Sequence, residues 1–283
     1  MHKILFGQIV TLLHFLAFAL PAGAFELRGD FIQGGLIIGE VAPTTSVVYQ
    51  GNVQRVSADG FFIIGFDRDS PLQAVLELHY PNSPVAYRTL TIEGRRYDIQ
   101  RIDGLPADRV EPKPEHMARI HREAVLVKKA RQRDDPRTDF AQGFIWPVIG
   151  EITGAYGSQR ILNGKPRRPH YGVDISAPIG TSVKAPASGV VSLLHPDMFL
   201  SGGTLIIDHG HGLSSSFLHL HKIRVSEGQA VKQGEVIALV GATGRVTGPH
   251  LDWRMNWFDR RIDPALLVPP MPITPAVQCE KSE

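Results

Sequence analysis

The pattern of hydrophobic residues in the first third of the chain is that of short β-strands. Between residues 25 and 105, runs of β-branched and aromatic residues are separated by turn signals such as Asp59-Gly60. These runs are residues 35–39, 46–49, 61–66, 74–78 and 87–92. Short runs at this spacing, with turns between them, are typical of a small β-sandwich.

A helical pattern follows in residues 106–141. Residues 115–133 are rich in Lys, Arg, Glu and Ala, and Pro136 is expected to end the helix. Apolar residues recur there at three- and four-residue intervals and form one stripe: Met117, Ile120, Ala124 and Val127. This segment is predicted to be a connecting helix with one face packed on a domain.

From residue 142 to residue 268 the pattern is strand-like again and rich in glycine. Short apolar runs such as residues 189–191, 204–207 and 235–240 alternate with glycines, and no helix-length periodic segment interrupts them. This predicts a compact antiparallel β domain. Residues 269–283 contain several prolines and are expected to form a mobile tail. The predicted fold class is therefore all-β, with a sandwich and a second β domain joined by one helix.

The first 24 residues have the layout of a secretory signal. A basic start is followed by an apolar run over residues 4–20 and by the small residues Ala22-Gly23-Ala24, after which cleavage is expected. The alternative is a retained membrane anchor. The run is interrupted by polar residues and is short for a membrane helix, which needs about 20 residues. Export is therefore favoured, with no stable membrane span after cleavage.

The composition limits the partners and the metal ligands that this chain can have. The 283-residue chain is 43% hydrophobic, carries a formal net charge of +2 and has no long basic tract, so nucleic acid is not an expected partner. Cys279 is the only cysteine, which excludes an intramolecular disulfide and a metal site built from thiolates. Any bound metal must use His, Asp or Glu.

Three segments place such residues at spacings that suit a shared site. Side chains alternate along a strand, so residues two or four positions apart lie on one face. By this rule three pairs share a face: His170 with Asp174, His219 with His221, and His250 with Asp252. A hydrolytic zinc site needs three protein ligands and an open position for water. The three segments together could supply one.

These motifs give the chain from about residue 152 to 264 a strong resemblance to the lysostaphin-type (LytM-like, family M23) zinc metallopeptidases. The family signature is His-x-x-x-Asp, then an aromatic residue followed by x-His-Leu, then Thr-Gly-x-His-x-His. The matching segments are His170 to Asp174, Phe217-Leu218-His219-Leu220 and Thr247-Gly248-Pro249-His250-Leu251-Asp252.

The resemblance implies an exported endopeptidase that hydrolyses peptide cross-links between the stem peptides of bacterial peptidoglycan, most simply in a periplasm. It implies one zinc ion, with His170 and Asp174 as ligands and His219 and His250 as the catalytic pair. Asp252 occupies the position of the third ligand, which in the family is usually a His. Either this carboxylate binds the metal, or the site has lost it. In the second case the protein would be a silent factor that binds wall material or activates a wall amidase, with an amidase or a divisome protein as partner.

Three further residues are candidates for binding substrate: Arg160, Tyr171 and His221. Arg160 lies in a basic, turn-rich loop before His170, and an arginine there could hold a substrate carboxylate. Each also has a plainer interpretation, as a solvated loop residue or a packing residue. His209 and His211 flank Gly210 in a predicted turn, and we expect them to stabilise that turn.

Overall fold

The computed structural model of the protein describes residues 25–103 and 113–272. Three predicted segments lie wholly or partly outside the described residues. They are the signal peptide, residues 104–112 at the boundary between the predicted sandwich and the predicted linker, and residues 273–283 of the predicted tail. Within the described ranges, no helix combines the length and the hydropathy needed to cross a membrane.

The N-terminal module consists of two antiparallel sheets, in line with the short strand-like runs of its sequence. One sheet has the order β1-β2-β5, the other β4-β3-β6-β7. An eighth strand, β8, belongs to neither sheet and pairs with a strand of the second domain. The strands are β1 (Phe25–Gly29), β2 (Leu36–Val41), β3 (Ser46–Tyr49), β4 (Asn52–Gln54), β5 (Phe61–Gly65), β6 (Gln73–His79), β7 (Ala86–Thr91) and β8 (Ile99–Ile102).

The register of these strands brings apolar residues to one face. Val47 lies opposite Leu78, and Tyr49 lies opposite Leu76. All four are at most 2% exposed. Because residues directly opposite each other in a sheet point to the same side, this face can pack into the core while the other meets solvent.

The single α-helix of the described residues, α1, spans Pro114–Arg131 and packs against β14 and β15 of the second domain. A proline at its first position fits the helix start, where no backbone N–H is needed. Val127 and Ala130 pack against Leu193, Met198 and Ile206. The helix ends five residues before Pro136, where the backbone N–H of Gln132 donates to the carbonyl of Lys129.

The second domain contains an eight-stranded antiparallel sheet and a small second sheet. The order of the large sheet is β18-β14-β15-β16-β20-β12-β9, with β21 paired to β20, and the small sheet is β13-β19-β17. The strands are β9 (Ile152–Gly154), β10 (Gln159–Leu162), β11 (Lys165–Pro166), β12 (Val173–Ser176), β13 (Ser182–Lys184), β14 (Gly189–Met198), β15 (Gly202–Asp208), β16 (Leu213–Leu220), β17 (Lys222–Ile223), β18 (Ala230–Val231), β19 (Val236–Leu239), β20 (His250–Trp257) and β21 (Arg260–Ile262).

The two modules share one continuous hydrophobic core. The rings of Tyr49 and Trp257 lie 6.2 Å apart across the junction. Arg95 pairs with the buried carboxylate of Asp263 at 2.7 Å. Strand β8 also crosses the junction and pairs with β10 in parallel, so the chain leaving the sandwich joins the loop that precedes His170.

Candidate active site

Three neighbouring strands, β12, β20 and β16, bring the predicted site residues together. Asp174 of β12 lies directly opposite Asp252 of β20, and Asp252 lies opposite Leu218 of β16. Like charges placed directly opposite each other in a sheet destabilise it unless a cation lies nearby. Two carboxylates facing each other therefore indicate that this sheet position is built around positive charge.

His170 completes this group from the segment just before β12. Its backbone N–H donates to the carbonyl of Ser158 at 2.8 Å, and its carbonyl accepts from Gly157 at 2.7 Å. These bonds hold the ring with its Nε2 atom 3.3 Å from Oδ1 of Asp174. One potential ligand atom each from His170, Asp174 and Asp252 lies within 4.8 Å of the other two.

The unmet hydrogen-bonding capacity of this group fits a metal ion. His170 Nε2 and Asp174 Oδ1 are both buried and have no hydrogen-bond partner among the described residues. Buried polar atoms without a partner are rare in folded proteins, and a metal ion can satisfy them. One imidazole nitrogen and two carboxylates are ligands that zinc accepts. The oxygen-rich set also suits harder divalent metals better than an all-histidine set does.

Asp252 also forms an ion pair with Arg254. The carboxylate is only 3% exposed. Arg254 Nε lies 2.9 Å from Oδ1, and Nη2 lies 2.5 Å from Oδ2. Burial raises the pKa of Asp252, but the charge and hydrogen bonds of Arg254 outweigh it and the pKa is lowered. The carboxylate is therefore ionised, and Oδ1, which accepts a single hydrogen bond, retains a lone pair that a metal can use.

Two glycines leave the space that these side chains fill. A Cβ atom at Gly172 would lie 2.5 Å from Cγ of Arg254 and 2.5 Å from the carbonyl oxygen of Trp253. A Cβ atom at Gly154 would lie 2.3 Å from Oδ2 of Asp174. Larger residues at either position would push the charged groups away.

His219 and His250 stand side by side at the edge of this group, with ring centroids 4.9 Å apart. Their Nδ1 atoms lie 2.9 Å from the carbonyl oxygens of Thr243 and Gly248, respectively. A carbonyl oxygen only accepts, so each Nδ1 must donate its proton. In the neutral ring this leaves Nε2 free to accept a proton. Nε2 of His250 lies 3.7 Å from Oδ1 of Asp174.

A β-bulge turns His219 toward this site. Strict alternation would put its side chain on the same face as Phe217, which lies opposite the core residue Trp253. The register between β15 and β16 shifts after Gly203, and His219 adopts a φ of 64°. Bulges commonly redirect side chains beside active sites. Burial lowers the pKa of His219, which keeps the imidazole neutral near pH 7.

The remaining candidates are not members of the metal-binding group. Arg160 is exposed on β10, with Nε 3.4 Å from Oε1 of Gln100. His221 is exposed just after β16. Tyr171 is half-buried, and the guanidinium of Arg261 lies 5.5 Å from its ring centroid.

The two histidines of the turn after β15 are buried away from the site. His209 has its ring nitrogens 2.7 Å from the carbonyl oxygen of Ser188 and from Oγ of Ser215. Burial lowers the pKa of His209 and that of His211 to about 4. The contacts of His209 fit the turn-stabilising role expected from the sequence, whereas both ring nitrogens of His211 have no hydrogen-bond partner among the described residues.

Sequence reasoning missed Arg254. The alternation that joins His250 to Asp252 also places residue 254 on the same face, so the spacing could have revealed it. Two further arginines near Arg254 could not be found this way. Arg131 comes from α1 and Arg261 from β21, and both reach this face through tertiary packing.

Comparison with known proteins identifies relatives of this chain. The family model described as peptidase family M23 matches residues 168–264. A solved structure of an M23 peptidase from Pseudomonas aeruginosa superposes with a TM-score of 0.63 and 31% identity, covering 83% of this chain and 93% of that one.

Two curated relatives come from Vibrio cholerae. Peptidoglycan DD-endopeptidase ShyB is 42% identical over 95 residues, which is 34% of this chain and 22% of that protein. Peptidoglycan DD-endopeptidase ShyA is 45% identical over 89 residues, which is 31% of this chain and 20% of that protein. The chain thus matches only about a fifth of the length of these relatives.

Proposed function

Because this chain belongs to peptidase family M23, we propose that it is a zinc-dependent endopeptidase that hydrolyses peptide cross-links in bacterial peptidoglycan. The observation that carries the proposal is the pair of buried, unpartnered ligand atoms, His170 Nε2 and Asp174 Oδ1, beside the carboxylate of Asp252. The names of the Vibrio cholerae relatives support the substrate class.

His170, Asp174 and Asp252 are the residues that would hold one zinc ion. Arg254 orients Asp252 through its two-point contact, in the way that neighbouring groups commonly fix metal-binding carboxylates. When bound, zinc supplies a Lewis acid that polarises the scissile carbonyl and makes a water molecule more acidic.

His219 and His250 are the proposed catalytic residues. Each holds its Nδ1 proton on a backbone carbonyl, which leaves Nε2 as the proton acceptor. One of the two takes the proton from the attacking water, and the pair stabilises the negative charge that develops on the carbonyl oxygen. Since burial keeps His219 neutral near pH 7, it is ready to act as a base.

We propose that this activity lies outside the cytoplasm, in the periplasm, because the first 24 residues have the pattern of a secretory signal. The proposed organisation keeps the sequence-based divisions: signal peptide 1–24, sandwich 25–105, linker 106–141, peptidase domain 142–268 and tail 269–283. The alternative is a catalytically silent factor that activates a wall amidase, and the following experiment distinguishes the two.

The test is digestion of purified peptidoglycan sacculi by the purified protein, with mass spectrometry of the products and metal analysis of the same sample. We expect one zinc per chain and loss of cross-linked fragments. His219→Ala and His250→Ala should retain zinc and lose cleavage. His121→Ala, an exposed residue on α1, is the matched control and should cleave normally.

Two results would contradict the proposal. A protein that binds no zinc at micromolar metal and leaves the cross-links intact is not this enzyme. A protein that leaves them intact but stimulates a purified wall amidase fits the silent factor instead.

A further inference from the structure

Three guanidinium groups gather on the face of the sheet that carries Asp252. Arg254 follows Asp252 on β20, and Arg261 of β21 lies opposite Asn256, two residues farther along β20. Arg131, the last residue of α1, donates from Nη2 to Oγ of Ser216 at 3.2 Å. Ser216 lies directly opposite Arg254. We call Arg131, Arg254 and Arg261 the arginine cluster.

Only one member of the arginine cluster has a carboxylate within ion-pairing distance among the described residues. Arg254 pairs with Asp252. Arg131 and Arg261 have no carboxylate within ion-pairing distance among the described residues, and Nε of Arg131 is buried without a hydrogen-bond partner. Burial, with the charges of Arg261 and Arg254, lowers the pKa of Arg131 well below its usual value.

A partly buried guanidinium without an anion is energetically unfavourable, and two beside a site for a divalent cation are more so. Such an arrangement is stabilised when an anion binds. Guanidinium groups bind carboxylates through two parallel hydrogen bonds, which favours a planar carboxylate as the ligand.

The arginine cluster lies close enough to the proposed reaction site to contact the substrate there. His250, Asp252 and Arg254 occupy alternate positions on β20, and a strand rises about 3.3 Å per residue. The backbone of Arg254 is therefore roughly 7 Å from that of Asp252. Arg131, Arg254 and Arg261 are all partly exposed, so a ligand can reach them.

We propose that the arginine cluster binds a free carboxylate that flanks the scissile amide, and thereby selects cross-links that carry one. This inference rests on the proposed function and names its substrate class. In a cross-link between two D-centres, the residue that supplies the scissile nitrogen bears a free carboxylate on the adjacent carbon. A bridge made only of glycines has no such group.

Two synthetic cross-linked peptides test this proposal. They are identical except that the carboxylate beside the scissile nitrogen is a carboxamide in one. For the zinc-loaded protein we expect kcat/KM to be about 10- to 100-fold higher for the free acid, as for a hydrogen bond to a charged group. Arg131→Gln should bring this ratio close to 1 by slowing cleavage of the acid alone. Arg131→Lys should restore part of it.

The control is Arg122→Gln, which removes an exposed arginine from the same helix and should keep the wild-type ratio. Equal cleavage of both peptides by the wild type would overturn the carboxylate role while leaving the proposed function intact. Equal loss of both activities in Arg131→Gln would assign Arg131 a structural role and would also overturn it.

A binding measurement separates this inference from the proposed function. In the presence of a chelator, calorimetry should show tighter binding of the acid than of the amide, by the same factor, and loss of that difference in Arg131→Gln. Equal affinities would refute the carboxylate subsite. Failure of the zinc-loaded protein to cleave either peptide would refute the proposed function, and the calorimetric result would still stand.

Discussion

Replacing Arg254 by Met tests whether this arginine and the metal stabilise the same carboxylate. Met keeps an unbranched apolar side chain in place of the aliphatic part of Arg254 but carries no charge. Asp252 is 3% exposed and receives its side-chain hydrogen bonds, among the described residues, from Arg254 alone. Without metal, the substitution leaves a buried carboxylate unpaired.

Removing one partner of a buried ion pair costs about 3–5 kcal/mol. Arg254 itself keeps 27% of its side chain exposed, so water can partly replace it and the lower end applies. We expect the free energy of unfolding in a chelator to fall by about 3 kcal/mol. For a protein of this size, that corresponds to a decrease in Tm of roughly 6–12 °C. Bound zinc would supply the missing positive charge, so saturating zinc should reduce the difference between variant and wild type.

Urea unfolding followed by tryptophan fluorescence measures these differences, once with a chelator and once with excess zinc. Arg245→Met, an exposed position in the loop before His250, is the control and should match the wild type in both conditions. Equal stability of Arg254→Met and wild type in the chelator would refute the ion-pair reasoning. A loss of the same size with and without zinc would show that Asp252 does not bind the metal.

Three further predictions address the ligands and the buried turn. Gly154→Ala places a Cβ atom against Asp174 and should weaken zinc binding about 10- to 100-fold in a chelator competition, whereas Gly94→Ala should not. Asp252→His should keep zinc bound but lower stability in a chelator, because Arg254 loses its carboxylate; failure to bind zinc would count against this. Burial lowers the pKa of His211 to about 4, so its stabilising contribution is complete above pH 6.5 and is lost as pH falls toward 4. Between pH 6.5 and 4, the free energy of unfolding of His211→Leu should therefore fall by about 3 kcal/mol less than that of the wild type. Urea unfolding at several pH values measures this, and parallel pH profiles of the two proteins would contradict the prediction.

The sequence predicts those parts of the fold that depend on local periodicity. The expected strand at residues 46–49 coincides with β3, and the expected helix at 115–133 differs from α1 by one residue at its start and two at its end. Family membership is also confirmed, because the spacing of His170, Asp174, His219 and His250 is itself a local signal. The roles of these residues stay predictions until the metal and the activity are measured.

Long-range features could not be predicted from a local pattern. The parallel pairing of β8 with β10 joins residues about sixty positions apart, and neither strand has a strongly apolar sequence. The bulge at His219 depends on the register of β15 against β16. Arg131 reaches the site only because α1 packs across β14 and β15, so its position follows from the tertiary structure.

The backbone conformation of His219 lowers stability at a position that is proposed to serve catalysis. A φ of 64° is disfavoured for a residue with a Cβ atom, by about 1–3 kcal/mol. Glycine or asparagine would adopt this angle at lower cost. A chain optimised for thermal resistance alone would therefore tend to replace the imidazole that is proposed to act in hydrolysis. At position 219 the fold therefore retains an imidazole side chain although the backbone conformation there is strained.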